Sequence, residues 1–192
     1  NKIDRWVIRT TFTWLAVNAD LFVGNHCWGI NLSGQSLMDK SLLAFVLEEL
    51  EHKNISPKSI YFEITETAVI TNLSNARQFM TAMKEHGVRF ALDDFGSGLS
   101  SFAYLKNLPV DVLKIDGAFG REIAHNKMDY AMVKAINDVG KSMGKKTIAE
   151  FVEDAEIIAK LKEIGVDYAQ GYGISRPQSL TKFSSFVDGF KT

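Results

Sequence analysis

Two hydrophobic periods alternate along this chain. Short, nearly continuous apolar runs of strand length recur at about 27–32, 60–65, 89–93, 111–115, 146–149 and 168–171. Between them, apolar residues fall every three or four positions and predict helices. Residues 2–18 put Ile3, Trp6, Val7, Ile8, Phe12, Leu15 and Ala16 on one broad helical face, and a second helix is expected from Ser36 to Glu51. Pro57 marks the turn into the second strand. Asn72 or Ser74 is placed to cap a helix carrying Ala76, Phe79, Met80 and Met83, which stops near Gly87. A glycine-rich segment, Phe95–Ser101, leads to a short helix around Phe102–Leu105. Longer helices are predicted over about 127–143 and 154–163, and Phe183–Phe190 reads as a closing helix.

Strands alternating with helices imply a parallel sheet of successive β-loop-α units. No linker or low-complexity stretch interrupts residues 1–192, so a single domain is expected. Six strands do not close an ordinary eight-stranded barrel, and the chain opens directly on a helix. Upstream strands are therefore expected to be missing from it.

The apolar runs share one further property, which is that each ends in polar residues. They finish at Asn31, Glu63, Asp93 and Asp94, Lys114 and Asp116, Glu150 and Gln170. Strands of a parallel sheet are covered on both faces, so these groups cannot be core filler. They must project from the carboxyl ends of the strands, where a β/α fold builds its active site. Carboxylates and a carboxamide are oxygen ligands for a hard cation. Two ions sharing Asp93 would sit about 3.5–4 Å apart and could clamp both oxygens of a phosphodiester. Adjacent strand residues point to opposite faces, so Asp93 and Asp94 can both serve only if the backbone turns at the strand end. The competing readings are solvated acidic loops with helix caps, or a metal-dependent barrel enzyme acting on a small carbonyl substrate.

Lys114 closes an apolar run, and neighbouring carboxylates such as Asp116 and Glu150 are expected to keep it charged. It could hold a water or hydroxide, or stabilise a phosphate oxygen. The glycines and serines after Asp94 suit a lid rooted on a metal ligand. Asp-Phe-Gly without a His-Arg-Asp loop excludes a kinase, and the four scattered histidines argue against a zinc protease.

Composition narrows the setting. Of 192 residues 46% are hydrophobic, enough for one sizeable core, and 22 basic residues balance 23 acidic ones. Nothing there favours a nucleic-acid polymer or an anionic membrane surface, so metal ions would have to supply positive charge to an anionic substrate. Cys27, the single cysteine, sits among apolar neighbours and reads as a buried thiol. With neither a signal peptide nor an apolar run of about 20 residues, the expected compartment is the cytoplasm.

In order, the segments NLSG, FEITET, LDDFGSGLSSFAYLKNLPVDVLKID, TIAEFVE and QGYGISRP closely resemble the EAL domain, the bacterial cyclic-di-GMP phosphodiesterase module. The resemblance runs from about residue 3 to 180. It implies a modified (β/α)8 TIM-type barrel, incomplete here, and hydrolysis of cyclic di-GMP to linear pGpG with two divalent ions, magnesium or manganese. It further implies Asn31, Glu63 and Asp93 as ligands of one ion, and Asp93, Asp94 and Glu150 as ligands of the other, with Asp116 beside it. Lys114 and Glu150 match the groups that orient and deprotonate the attacking water. Gln170 and Glu153 match substrate-contacting positions, residues 94–101 match a gating loop, and Glu66 matches its anchor. The Glu-Ala-Leu motif itself is absent, so about the first fifth of such a domain, with two strands and a metal-ligating glutamate, is expected upstream. An unpaired edge at 27–32 would favour strand exchange or a homodimer, and the parent is expected to carry upstream regulatory domains. The alternative within this family is an inactive module that binds cyclic di-GMP or docks a partner.

Overall fold

Six strands lie side by side in chain order, all parallel: β1 (Trp28–Asn31), β2 (Ile60–Thr65), β3 (Arg89–Phe95), β4 (Val112–Ile115), β5 (Lys146–Ala149) and β6 (Tyr168–Ala169). This computed structural model describes residues 1–19, 26–96 and 102–183. Parallel neighbours require crossovers, and helices supply them. Helix α1 (Lys2–Val17) precedes β1, α2 (Leu42–His52) leads to β2, and α3 (Glu66–Thr71) with α4 (Leu73–Glu85) leads to β3. The remaining links carry α5 (Phe102–Leu105), then α6 (Gly117–Gly120) with α7 (Lys127–Ser142), and finally α8 (Ala155–Ile164). The sheet curls into part of a TIM-type barrel, as the alternating pattern and the family resemblance led us to expect.

Strand parity divides the sheet into two faces with different work. Ile30 pairs with Phe62, and Phe62 with Phe90, so all three point the same way, and all three are buried. Phe62 and Phe90 lie 6.2 Å apart between ring centroids, and Phe79 of α4 meets Phe90 edge-on at 6.1 Å. Each such ring contributes about 1.5–3 kcal/mol by leaving water. The other face, curled inward, carries Gly29, Tyr61, Glu63, Ala91, Val112 and Ile148 around a cavity of about 680 Å³.

Three local expectations are corrected. The helix foreseen over Ser36–Glu51 is a 3-10 turn at Ser36–Met38 and then α2, broken at Asp39. There the Asp39 carboxylate accepts hydrogen bonds from the backbone N–H and hydroxyl of Ser41, at 2.9 and 2.6 Å, and so competes with the helix. Asn72 occupies the N-cap of α4, but its side chain makes no capping bond; its carbonyl accepts from Asn75 Nδ2 at 2.9 Å instead. Cys27 is exposed, not buried. Helices α3 and α6, too short to show a period, were not foreseen. The expected closing helix at Phe183–Phe190 lies, after Phe183, outside the described residues.

One buried polar cluster fastens α7 to β5. The Thr147 hydroxyl donates to Asn137 Oδ1 at 2.7 Å, and Asn137 Nδ2 donates to the Ile164 carbonyl at 3.2 Å. Both side chains are fully buried. Asn137→Leu should therefore strand the Ile164 carbonyl, leave the Thr147 hydroxyl only its longer bond to Asp167 at 3.3 Å, and lower unfolding stability by about 2 kcal/mol in urea titration. Asp138→Ala, which removes only an exposed Lys134 pair, should change it by less than about 0.5 kcal/mol. Equal effects would show that the cluster carries no special weight.

Candidate active site

Register brings the polar strand ends into one row. Asn31 pairs with Glu63, and Glu63 with Ala91, which lies two residues before Asp93 on the same face. Ala91 pairs with Val112, two before Lys114; Lys114 pairs with Ile148, two before Glu150. Residues two apart share a face, so Asn31, Glu63, Asp93, Lys114 and Glu150 converge at the carboxyl rim.

Lys114 is the hub. Its Nζ lies 2.7 Å from Glu63 Oε2, 2.8 Å from Asp93 Oδ1 and 2.8 Å from Glu150 Oε1, so each of its three N–H groups faces a carboxylate. The residue is only 3% exposed. Burial alone would depress its pKa, but Glu63, Asp93 and Glu150 outweigh burial and move it upward. Lys114 is thus held as an ammonium. The pairing differs from the expected one in part: Glu150 is present, whereas Asp116 is not among these partners. Asp116 instead N-caps α6, accepting from the Ala118 N–H at 2.7 Å, because that helix starts immediately after the strand. Gly29 makes room for the cluster, since a Cβ there would fall 1.9 Å from Glu63 Oε1.

Asp93 and Asp94 reach the site together because β3 is irregular. Leu92 pairs with Leu113 and Phe95 with Ile115, so β3 spends three residues where β4 spends two. Asp94 takes the left-handed conformation at φ 53° and is thereby swung back toward the rim. Carboxylate oxygens of Asp93, Asp94 and Glu150 all lie within 4.8 Å of one another. Burial, then the charges of Asp93 and Asp116, push the Asp94 carboxyl up. Burial likewise raises Glu150, despite its bond to Lys114. Four carboxylates around one ammonium leave negative charge uncompensated, and every donor is oxygen. That set fits hard divalent cations.

The other expected residues surround this centre. The Asn31 carboxamide is exposed at the rim. Glu66 opens α3 and is 2% exposed; it accepts from the Gly96 N–H at 3.1 Å and from the Tyr104 hydroxyl. It thereby ties the end of β3 to α5, on either side of the foreseen gating loop, of which residues 97–101 lie outside the described residues. Glu153 and Gln170 line a cavity of about 340 Å³ beside Glu150. Arg121, Phe151 and Tyr172 complete its wall and were not foreseen. Phe151 has φ 53°, and the Arg121 guanidinium lies 4.4 Å from its ring centre. Gly117 permits this, because a Cβ there would fall 2.0 Å from the ring. The sequence signal for that group was an aromatic residue directly following Glu150.

A sequence profile of the EAL domain matches residues 1–177. The chain belongs to the EAL domain family. It is 46% identical over 191 residues to the cyclic di-GMP phosphodiesterase PdeB of Shewanella oneidensis, covering 100% of this chain and 22% of PdeB. Among solved structures, the EAL domain of Mycobacterium smegmatis DcpA superposes with a TM-score of 0.90 at 31% identity, covering 96% of this chain and 83% of that one. The PaMucR phosphodiesterase in complex with c-di-GMP gives 0.89 at 29% identity, with 95% and 74% covered. This EAL chain spans about a quarter of the length of the curated relatives it matches. Among its described residues, no helix is long and apolar enough to cross a membrane.

Two predictions follow from the charge balance. Lys114→Met leaves three facing carboxylates without a counter-ion and should cost about 3–5 kcal/mol at neutral pH, the scale for breaking a buried ion pair. Millimolar Mg2+ should restore much of that loss; a variant as stable as the parent and indifferent to Mg2+ would show that the cluster is not electrostatically loaded. The second concerns pH. Raised carboxyl pKa values mean that the folded site binds protons more readily than the unfolded chain, so the penalty of ionising Asp94 and Glu150 is present above their folded pKa values. It is relieved as pH falls through them. Protons and cations compete for the same oxygens, so Mn2+ affinity measured by electron paramagnetic resonance should start to fall above the ordinary carboxyl range of about 3.9–4.3. Affinity that stays flat down to that range would refute the assignment.

Proposed function

We propose that this domain hydrolyses cyclic di-GMP to linear pGpG, using two divalent ions, magnesium or manganese. The observation that carries this reading is the convergence of Glu63, Asp93 and Glu150 on Lys114 at the carboxyl rim, with Asp94 beside Asp93 and Glu150. Membership of the EAL family and the named activity of PdeB support it. Asn31, Glu63 and Asp93 would hold one ion, and Asp93, Asp94 and Glu150 the other, with Asp116 nearby. When bound, such ions supply Lewis acidity to a phosphodiester and lower the pKa of water.

The residues divide the remaining work. Water attacks phosphorus and gives up a proton, the bond to the 3′ oxygen breaks, and that oxygen leaves with a proton drawn from solvent water. Glu150 is the group to accept the proton of the attacking water, because its carboxylate stands beside Asp93 and Asp94 at the rim where that water would be held. Lys114, held protonated, orients Glu63, Asp93 and Glu150 and is no base. Gln170 and Glu153, in the adjoining cavity, are placed to contact the substrate beyond the reacting phosphate. Glu66 steadies the end of β3 through Gly96. Further regulatory domains in the parent protein are in keeping with relatives several times this chain's length.

The test is hydrolysis of cyclic di-GMP by the parent protein with Mg2+ or Mn2+, followed by chromatography of pGpG. Asp93→Asn and Glu150→Gln should each reduce turnover by about 10²–10⁴-fold while leaving the fold intact. Tight cyclic-di-GMP binding by the parent without turnover would make the domain a receptor. Near-parental rates in both variants would remove these carboxylates from the chemistry.

A further inference from the structure

The first turn of α1 grips the segment that leaves β1, and it does so through one carboxylate. Asp4 Oδ2 accepts three hydrogen bonds: from the Ser33 N–H at 3.0 Å, the Ser33 hydroxyl at 2.6 Å and the Ser36 hydroxyl at 2.5 Å. Ser36 is fully buried, so its donor has few other places to go. Its neighbours strengthen the grip. Arg5 reaches Asp39 at 2.9 Å and Ser41 at 2.6 Å, and Asn1 Nδ2 reaches Asp39 at 2.7 Å. Burial opposes ionisation of Asp4, but the serine donors prevail and hold its carboxyl below the ordinary range.

This matters because of what lies just before Ser33. The last rung between β1 and β2 is the Leu32 N–H to the Glu63 carbonyl at 2.8 Å. Beyond that rung the backbone turns on itself, with the Ser36 N–H bonded to the Ser33 carbonyl at 3.0 Å. The Asn31 carboxamide has no hydrogen-bond partner among the described residues, so only the backbone on either side of it restricts where the side chain can reach.

We propose that Asp4 is a positioning residue that acts through Ser33 and Ser36 to hold the backbone at the end of β1, and so to keep the Asn31 carboxamide at the rim that carries the Glu63 and Asp93 carboxylates. The inference rests on the cation site proposed above, and its readout is metal binding rather than hydrolysis. Asp4 itself touches none of the site's carboxylates in the contacts described.

The experiment titrates Mn2+ into the full chain and its variants, following free Mn2+ by electron paramagnetic resonance. Asp4→Ala should weaken Mn2+ binding about tenfold, at the low end for partners beyond the ligands themselves. Asp4→Asn keeps one acceptor oxygen and should recover most of the affinity. Ser33→Ala should give a smaller loss in the same direction, and it keeps the test alive if Asp4→Ala does not fold. The deciding comparison is Asp4→Ala placed on Asn31→Ala. If Asp4 works through Asn31, the double variant binds like Asn31→Ala alone. Val133→Ala, a remote core truncation, should lower stability without moving Mn2+ affinity. Unchanged affinity in Asp4→Ala and Ser33→Ala, additive losses in the double variant, or an equal loss in Val133→Ala would each overturn the proposal. Hydrolysis is scored separately: a parent that binds Mn2+ with the expected variant pattern but does not turn over cyclic di-GMP leaves this inference standing and removes the enzymatic one.

Discussion

A buried ammonium holds this rim together. Taking Lys114 out of water costs several kcal/mol, and the same is true of each carboxylate that faces it. Their mutual attraction offsets this only if geometry is good and every hydrogen is used, and here three carboxylates meet three N–H groups within 2.7–2.8 Å. The partners come from β2, β3 and the end of β5, so the pairing exists only when those strands stand in their register. A slip of one residue in any of them would turn its charged end toward the helices. The ion cluster is therefore a weak source of stability but a strict condition on topology.

Lys114 neutralises only part of what surrounds it. The bulge in β3 delivers Asp94 to a rim that already holds Glu63, Asp93 and Glu150, and burial first, then the neighbouring carboxylates, displaces Asp94 and Glu150 upward. Regular alternation would have sent Asp94 to the helix face, among Leu92, Leu113 and Phe95. Instead Phe95 takes the buried position and Asp94 is returned to solvent's edge by a left-handed residue. The departure is held from outside, since Glu66 binds the Gly96 N–H just past the bulge and the Tyr104 hydroxyl beyond it. A local irregularity of the ladder thus creates a site with room for positive charge beyond that of Lys114.

Much of this was legible before any coordinates. Strands buried on both faces must be apolar, so the polar residue ending each run stood out, and strand parity foretold that Asp93 and Asp94 needed a turn of the backbone. What escaped depends on neighbours distant in sequence. Spacing could suggest that Lys114 meets a carboxylate, but choosing Glu63 over Asp116 requires knowing how the curled sheet brings β2 to β4 while α6 claims Asp116 as its cap. The break at Asp39 was hidden for a different reason. A side chain bonding its own backbone neighbours leaves the apolar period of Ser36–Glu51 intact while ending the helix. Short α3 and α6 had no room to show a period, and apolar neighbours in sequence did not reveal that Cys27 is exposed.

The two faces of each strand divide stability from chemistry. On the helix side Ile30, Phe62, Ile64, Phe90 and Leu92 leave water completely or nearly so, and that burial is the kind of contribution that outweighs chain entropy. On the inner side the sheet carries Gly29, Glu63, Asp93 and Lys114 at or near the rim, beside Tyr61, Val112 and Ile148 around the cavity. Such a face would be a poor core, and it is tolerated because the opposite one suffices. Substitutions one residue apart should accordingly differ in kind: at Phe62 or Phe90 the fold weakens, whereas at Glu63 the fold persists and the site loses an oxygen donor. That separation by parity lets a β/α domain change its chemistry without renegotiating its core, and it places the limit on change at Lys114, the one inward group whose loss both faces would feel.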